Sequence, residues 1–218
     1  MSIKILLADD HRIIHDNLSL LLNNQTDMEV VGVADNGRKA VELTQELKPD
    51  LVIMDISMPD LNGMEATSQI IAQCPGVKII TLSMNTDKRY VKGMLKAGAS
   101  GYLTKSCSFE ELVNAIRVVA AGKKYLSPEI TGIVIKEYIS PSPTSDSSIF
   151  SILTTREREV LQLLVEGKTV KQIANDHLYL SKKTVHKHHQ KIMEKLNIYS
   201  IAELTKLAIR EGLISLEN

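Results

Sequence analysis

The chain has 218 residues, of which 44% are hydrophobic, and 26 Lys+Arg exactly balance 26 Asp+Glu to a formal charge of zero. This length suits one large domain or two ordinary ones with packed cores, and no apolar run is long enough to make a membrane-spanning helix. The opening MSIKILLADD has neither the apolar region nor the cleavage site of a signal peptide, so a cytoplasmic protein with no membrane partner is expected. Cys74 and Cys107 have no metal-ligand spacing and read as free thiols.

In chain order, IKILLAD (3–9), EVVGVAD (29–35), DLVIMD (50–55), VKIITLS (77–83) and GYLTK (101–105) read as five strands. Their near-continuous hydrophobicity suits strands covered on both faces. Helices are predicted between them at 11–24, 37–47, 63–73, 87–97 and 108–121, with Ser108 and Glu111 spaced as a capping box for the last. Five βα units make a doubly wound parallel sheet, whose working site lies beyond the carboxyl ends of the strands. Residues 122–138 add one short helix.

Those strand ends carry Asp9 and Asp10, Asp55, Ser83 and Lys105. Asp10 alone reads equally well as a cap for the following helix. Gathered carboxylates call for a hard cation, and Mg²⁺ favours few carboxylates together with water and phosphate oxygens. A carboxylate can also act as nucleophile toward phosphorus when cations hold the transferring group and neutralise its charge. Lys105 offers a point charge and Ser83 a hydroxyl donor.

The segments LLADDHRI, VIMDISMPDLNGMEA, ITLS and GASGYLTK, in this order at strand ends, resemble the receiver domain of bacterial two-component response regulators over roughly residues 2–122. The resemblance implies a flavodoxin-like strand order 2-1-3-4-5 and Asp55 as phosphoacceptor. It implies Mg²⁺ held by Asp9, Asp10, Asp55 and the backbone carbonyl of Ser57. Lys105 and Ser83 would meet the phosphoryl oxygens, and Tyr102 would change rotamer to fill the space that Ser83 vacates. Pro59 and Gly63 shape the loop over the site, and also read as ordinary turn residues. Two positions depart from the family's habit: Met84 stands where a small residue is common, and Ser106 where proline is common.

ISPSPTSDSSIF (139–150) reads as linker, giving domains at 1–122 and 151–218 with a linker and short helix at 123–150. The last 68 residues hold 11 Lys+Arg against 8 Asp+Glu, a charge of +3, which leaves 15 against 18 in the rest. Four helices are predicted there. Thr154/Glu157 and Ser200/Glu203 form capping boxes, and Gly167 stops the first helix. The third, SKKTVHKHHQKIMEKL (181–196), has five lysines and one acid. Val185, His188, Ile192 and Leu196 make its buried seam, with His188 packed and hydrogen-bonded. His186 and His189 share another face, for which metal binding lacks a third ligand; the remaining readings are a solvated charged face or a DNA contact.

LTTREREVLQLLVEGKTVKQIANDHLYLSKKTVHKHHQKIMEKLNI resembles the LuxR-type helix-turn-helix, and with the receiver nearly the whole chain resembles a NarL/FixJ-family response regulator. The resemblance implies base contacts from His186, Lys187 and Gln190, and backbone contacts from Thr169, Lys183 and Lys191. It also implies a dimer contact through Ile201, Leu204 and Leu207 of the final helix. The implied protein is a signalling transcription factor that hydrolyses its own acyl phosphate rather than a metabolic enzyme. Its implied partners are a sensor histidine kinase, promoter double-stranded DNA, RNA polymerase and, once phosphorylated, a second copy. A flavin or nucleotide enzyme is disfavoured because ADDHRI lacks the glycines of a phosphate cradle. A Mg²⁺ phosphohydrolase lacks a segment for a substrate cap, and the intact acid, hydroxyl and lysine set disfavours a DNA-binding protein that has lost phosphorylation.

Overall fold

The computed structural model describes residues 2–139 and 149–214, with Ser151 as backbone only. The chain forms two compact units, 1–141 and 142–218. The first alternates β1 (Ile3–Ala8), α1 (Arg12–Asn23), β2 (Met28–Ala34), α2 (Gly37–Leu47), β3 (Leu51–Met54) and α3 (Gly63–Gln73). It continues with β4 (Lys78–Ser83), α4 (Lys88–Ala97), β5 (Gly101–Thr104), α5 (Phe109–Ala120), β6 (Tyr125–Leu126) and α6 (Pro128–Ile139). The sheet is parallel throughout, in the order β2-β1-β3-β4-β5-β6.

The expected doubly wound order is present, but the sheet has six strands rather than five. Tyr125 and Leu126 pair with Gly101 and Tyr102, and two residues are too few to show a period of two. The helix after them packs on α4, with Ile130 fully buried. Residues 125–139 are thus part of the first unit, and the linker does not begin at 123. Most of ISPSPTSDSSIF lies outside the described residues.

Alternation along each strand divides the core in two. Leu6, Val52, Met54, Ile79 and Tyr102 face one layer, with Val41, Ile70, Val91, Met94 and Ile130 from α2, α3, α4 and α6. Ile5, Leu7, Ile53, Ile80 and Leu103 face the other, with Leu22 of α1 and Leu112 and Ile116 of α5. Each such side chain stabilises the fold by about 1.5–3 kcal/mol. Asn36, Asn62 and Asp87 cap α2, α3 and α4. Ser108 accepts from Glu111 N at 3.2 Å, while the Glu111 carboxylate accepts from Tyr125 Oη at 3.2 Å.

Registry carries the site. Ala8 pairs with Met54, and Ser83 with Thr104, so the next residues, Asp9, Asp55 and Lys105, emerge together at one edge. Asp55 N donates to Ala8 O at 2.8 Å, and Lys105 N to Ser83 O at 2.9 Å. The loop from Asp55 to α3 returns so tightly that Gly63 N donates to Ile56 O at 2.9 Å. A Cβ at Gly63 would lie 1.9 Å from Asp55 O.

The second unit has a 3-10 turn (Ile149–Ile152), α7 (Thr155–Val165), α8 (Val170–Gln172) widening into a π-helical turn (Ile173–His177), α9 (Lys182–Leu196) and α10 (Ile201–Arg210). Its core joins Leu161, Leu164, Ile173, Val185, Ile192, Leu204 and Leu207. Thr154 and Glu157 form the full capping box of α7. Gly167, at φ +81°, ends that helix as predicted, with Lys168 N donating to Leu163 O at 3.0 Å. Ser200, in contrast, makes no side-chain cap to α10, so the second expected box is absent. Glu157 is 3% exposed, and its Oε2 accepts from Lys195 Nζ of α9 at 2.6 Å and from Thr154 N at 2.8 Å. Burial pushes the Glu157 carboxyl up, but the Lys195 and Thr154 bonds outweigh it and hold it below the ordinary glutamate range. Among the described residues no helix is long and apolar enough to cross a membrane.

Two outcomes are expected. Gly63→Ala should lower first-unit stability by about 1–3 kcal/mol or more, because the backbone itself must move; an unchanged urea midpoint would contradict the close approach. Lys195→Met should cost the second unit about 1.5–3 kcal/mol by leaving a buried carboxylate without its cation. As a lowered acid, Glu157 contributes stability above its unfolded pKa that is lost as pH falls through its folded value. The deficit of Lys195→Met in thermal melts should therefore shrink below about pH 4, and a pH-independent deficit would contradict the pairing.

Candidate functional site

At the carboxyl edge of the sheet, Asp9 and Asp55 are 6% and 4% exposed. Lys105 Nζ lies between them, 2.7 Å from Asp9 Oδ2 and 2.9 Å from Asp55 Oδ2. The other Asp55 oxygen accepts from Ile56 N at 2.7 Å. Burial pushes the Asp55 carboxyl above the usual aspartate range, Lys105 opposes that, and the Asp9 charge adds to it. Burial also opposes charge on Lys105, yet Asp55 and Asp9 outweigh it and raise the ammonium's pKa. The acidic pair is thus held by one firmly charged cation.

Asp10 does not cap α1, whose N-cap is His11 with no side-chain bond. Its Oδ1 is buried without a hydrogen-bond partner, although His11 Nδ1 lies 2.8 Å away at an ion-pair distance. His11 also donates its backbone N–H to Asp9 Oδ1 at 2.9 Å. Asp9, Asp10, His11 and Asp55 each offer a ligand atom within 4.8 Å of the others. A buried carboxylate oxygen without a partner beside two further carboxylates fits a hard cation. His11 was not singled out from the sequence; its position directly after the Asp pair was the available signal. Ser57 follows Asp55 in the same loop and is half-buried.

Ser83 is 1% exposed, and its Oγ accepts from Asn85 N at 3.2 Å. Tyr102 is fully buried and donates to Asn85 O at 2.5 Å; burial holds its hydroxyl well above the ordinary tyrosine range. The aromatic expected to change rotamer is therefore already inside, and Asn85, which sequence reading did not select, joins both the Ser83 and the Tyr102 side chains. Met84 is 69% exposed beside Ser83. The Lys105–Ser106 peptide is trans.

In the second unit, Ser181 caps α9 by accepting from Thr184 N at 3.1 Å. Val185 and Ile192 are fully buried, with His188 and Leu196 half-buried beside them. His188 packs as expected but is not hydrogen-bonded at Nδ1, a buried atom with no partner. Its pKa is lowered, by burial first, against the pull of Glu157 and with Arg156, Lys191 and Lys187 adding to it. A neutral ring suits that seam.

Lys183, His186, Lys187, Gln190 and Lys191 are all exposed. Gln190 Nε2 donates to Glu194 Oε1 at 3.1 Å, and the Thr169 hydroxyl is held in the capping box of α8 with Gln172. His189 is half-buried, and burial with His186 nearby lowers its pKa. Among the described residues the Asp9 group is the one cluster of metal-ligating side chains, so His186 and His189 find no third ligand. Of the three residues expected at a dimer contact, Leu204 and Leu207 are 0% and 6% exposed in the unit's own core, while Ile201 is 45% exposed.

Residues 5–117 match the family model of the response regulator receiver domain, and residues 151–208 that of the bacterial regulatory proteins of the luxR family. The chain is 37% identical to the transcriptional regulatory protein DegU of Brevibacillus brevis, covering 96% of this chain and 94% of that protein. It is 39% identical to the oxygen regulatory protein NreC of Staphylococcus carnosus, covering 97% and 99%. Among solved structures, the complex of the two-component response regulator RcsB with DNA matches with a TM-score of 0.60 at 25% identity, over 95% of this chain and 98% of that one. The two family matches lie in the order receiver domain, then luxR-type domain, the relatives align over nearly the whole chain, and the chain belongs to the NarL/FixJ family of two-component response regulators.

Proposed function

We propose that this transcription regulator is switched by phosphorylation of Asp55 by a sensor histidine kinase, and that the phosphorylated form binds promoter DNA as a dimer and acts on RNA polymerase. The observation that carries the proposal is a buried Asp55 at a strand end with Lys105 Nζ at 2.9 Å. One Asp55 oxygen attacks phosphorus as the bond to the donor's histidine nitrogen breaks. Lys105 opposes the burial that raises the Asp55 carboxyl, and so favours the charged, nucleophilic form. Asp9, Asp10, Asp55 and the Ser57 carbonyl would hold Mg²⁺, which when bound neutralises charge on the transferring group.

Once Asp55 carries the phosphoryl group, Lys105 turns from Asp9 and Asp55 to its oxygens. Ser83 exchanges its bond with Asn85 N for one with them. Tyr102 holds Asn85 O, so the loop before α4 is where this exchange is felt. A population shift of the first unit follows. In the second unit, Lys183 and Lys191 meet phosphates, Lys187, His186 and Gln190 meet base edges, and Thr169, its hydroxyl kept in the cap, offers a backbone contact. Ile201 is left to face a second copy. Slow self-hydrolysis of the acyl phosphate returns the protein to its resting state.

Wild type incubated with Mg²⁺ and a small acyl-phosphate donor should incorporate label, dimerise and bind promoter DNA more tightly. Asp55→Asn should do none of these, and label entering it as readily as wild type would sink the acceptor assignment. DNA affinity has its own pH dependence. The lowered pKa of His189 leaves it neutral in the free protein at neutral pH, and DNA phosphates favour the imidazolium, so binding takes up protons. Footprinting at fixed salt should show affinity rising between about pH 8 and about pH 6. The rise should vanish in His186→Gln/His189→Gln, and equal wild-type affinity at both ends would remove this role.

A further inference from the structure

The geometry points to Tyr179, in the turn before α9, as a further DNA contact, its hydroxyl donating to a phosphate oxygen and its ring lying on the adjoining sugar. This inference rests on the reading of α9 as the helix that enters DNA. Leu178 N donates to Ile173 O at 2.9 Å and Leu180 N to Ala174 O at 2.8 Å, so the π-helical turn closes on its own carbonyls. That closure calls for a left-handed residue between the two donors, and Tyr179 supplies it at φ +51°. Glycine ordinarily holds such a place, and Asn or Asp tolerates it. Among the described residues Lys48, Asp60 and Asn197 share a positive φ, and Tyr179 is the one aromatic in that set. The end of the π turn explains the conformation but not the tyrosine.

Packing does not explain it either. Tyr179 is 83% exposed, whereas Leu178 is 5% exposed and Leu180 packs against the unit's core. The ring therefore turns outward from between two inward neighbours. The turn is also anchored by α7, because Arg156 donates through Nη2 to Leu178 O at 2.8 Å while its Nη1 is held by Glu159. A bulky side chain kept in a costly conformation, outside the core and on an anchored turn, has the pattern of a residue retained for a contact.

Charge selects the partner. Tyr179 stands two residues before Ser181, which caps α9, and the N-terminal residues of a recognition helix are the ones that reach base edges. From His177 to Lys191 the sequence has four lysines and no acid. Lys182 and Lys183 are both exposed in the first turn of α9, where the helix dipole opposes positive charge and no acid offsets it. An anionic partner relieves that opposition, and continuity with α9 makes the partner DNA. Tyrosine adds what lysine lacks there, a hydroxyl that gives one directed bond and a flat ring that covers a sugar.

The test is titration of the full chain onto labelled duplex DNA of random sequence, with a urea melt of each variant. Tyr179→Gly should weaken DNA binding about ten-fold, yet leave the second unit's urea midpoint equal or higher because the strain is released. Tyr179→Asn, which tolerates the left-handed turn without glycine's unfolded-state entropy, should give the same pair of results. Tyr179→Phe retains the ring and should lose about three-fold. Lys183→Ala serves as the control for α9. Unchanged affinity in Tyr179→Gly and Tyr179→Asn with Lys183→Ala weakened would overturn the Tyr179 contact alone, whereas unchanged affinity in all three would overturn the DNA reading of α9 on which it rests. A lowered midpoint in both Tyr179→Gly and Tyr179→Asn would make Tyr179 a structural residue and overturn the contact. Unchanged DNA affinity with loss of dimerisation would give the ring to a second copy and likewise overturn it.

Discussion

Parallel pairing of β1 with β3 places Asp9 and Asp55 side by side with almost no access to water, and the Lys105 ammonium between them makes that arrangement tenable. Two buried carboxylates repel each other, and burial raises the Asp55 carboxyl above its ordinary range. A single cation delivered from β5 opposes both effects at once. The main-chain bonds from Asp55 N to Ala8 O and from Lys105 N to Ser83 O fix where the three side chains leave the sheet. Those positions follow from strand register, so the sheet's hydrophobic alternation and the chemistry of its edge are one constraint.

This explains why the first unit's site was readable from residues alone. Asp9, Asp55, Ser83 and Lys105 each terminate an apolar run, and a parallel sheet sends the ends of such runs to one edge. The run lengths carry no cross-strand distances, so the sharing of Lys105 between Asp9 and Asp55 was hidden. His11 and Asn85 were missed because they act through a ring nitrogen and main-chain groups brought back by loops, where no periodicity exists. The sixth strand was missed for a simpler reason: its two residues cannot display alternation.

The second unit shows where local rules compete with packing. Thr154/Glu157 and Ser200/Glu203 have the same spacing, yet only the former makes a side-chain cap. Glu157 is fixed from two directions, by Thr154 and by Lys195 on α9. Leu204 and Leu207 look equally fit for a partner or a core in sequence, and the unit's small size settles the matter, because a domain of this length needs nearly every apolar side chain inward. The seam through Val185 and Ile192 was legible, since a spacing of three and four residues makes one face; the unpartnered Nδ1 of His188 was not, since it depends on α7.

The Lys195–Glu157 pair also limits the charge that α9 can offer a partner. Of the five lysines on α9, Lys195 is committed to a carboxylate inside its own domain, so on the DNA-binding role proposed for this helix at most four remain to displace cations condensed on DNA. Each phosphate neutralised contributes about 0.9 to the slope of log affinity against log salt concentration. The ceiling from this helix in that role is therefore about 3.6 per chain rather than about 4.5. The charge counted along α9 and the charge it can offer a partner differ by the one lysine that ties this helix to α7.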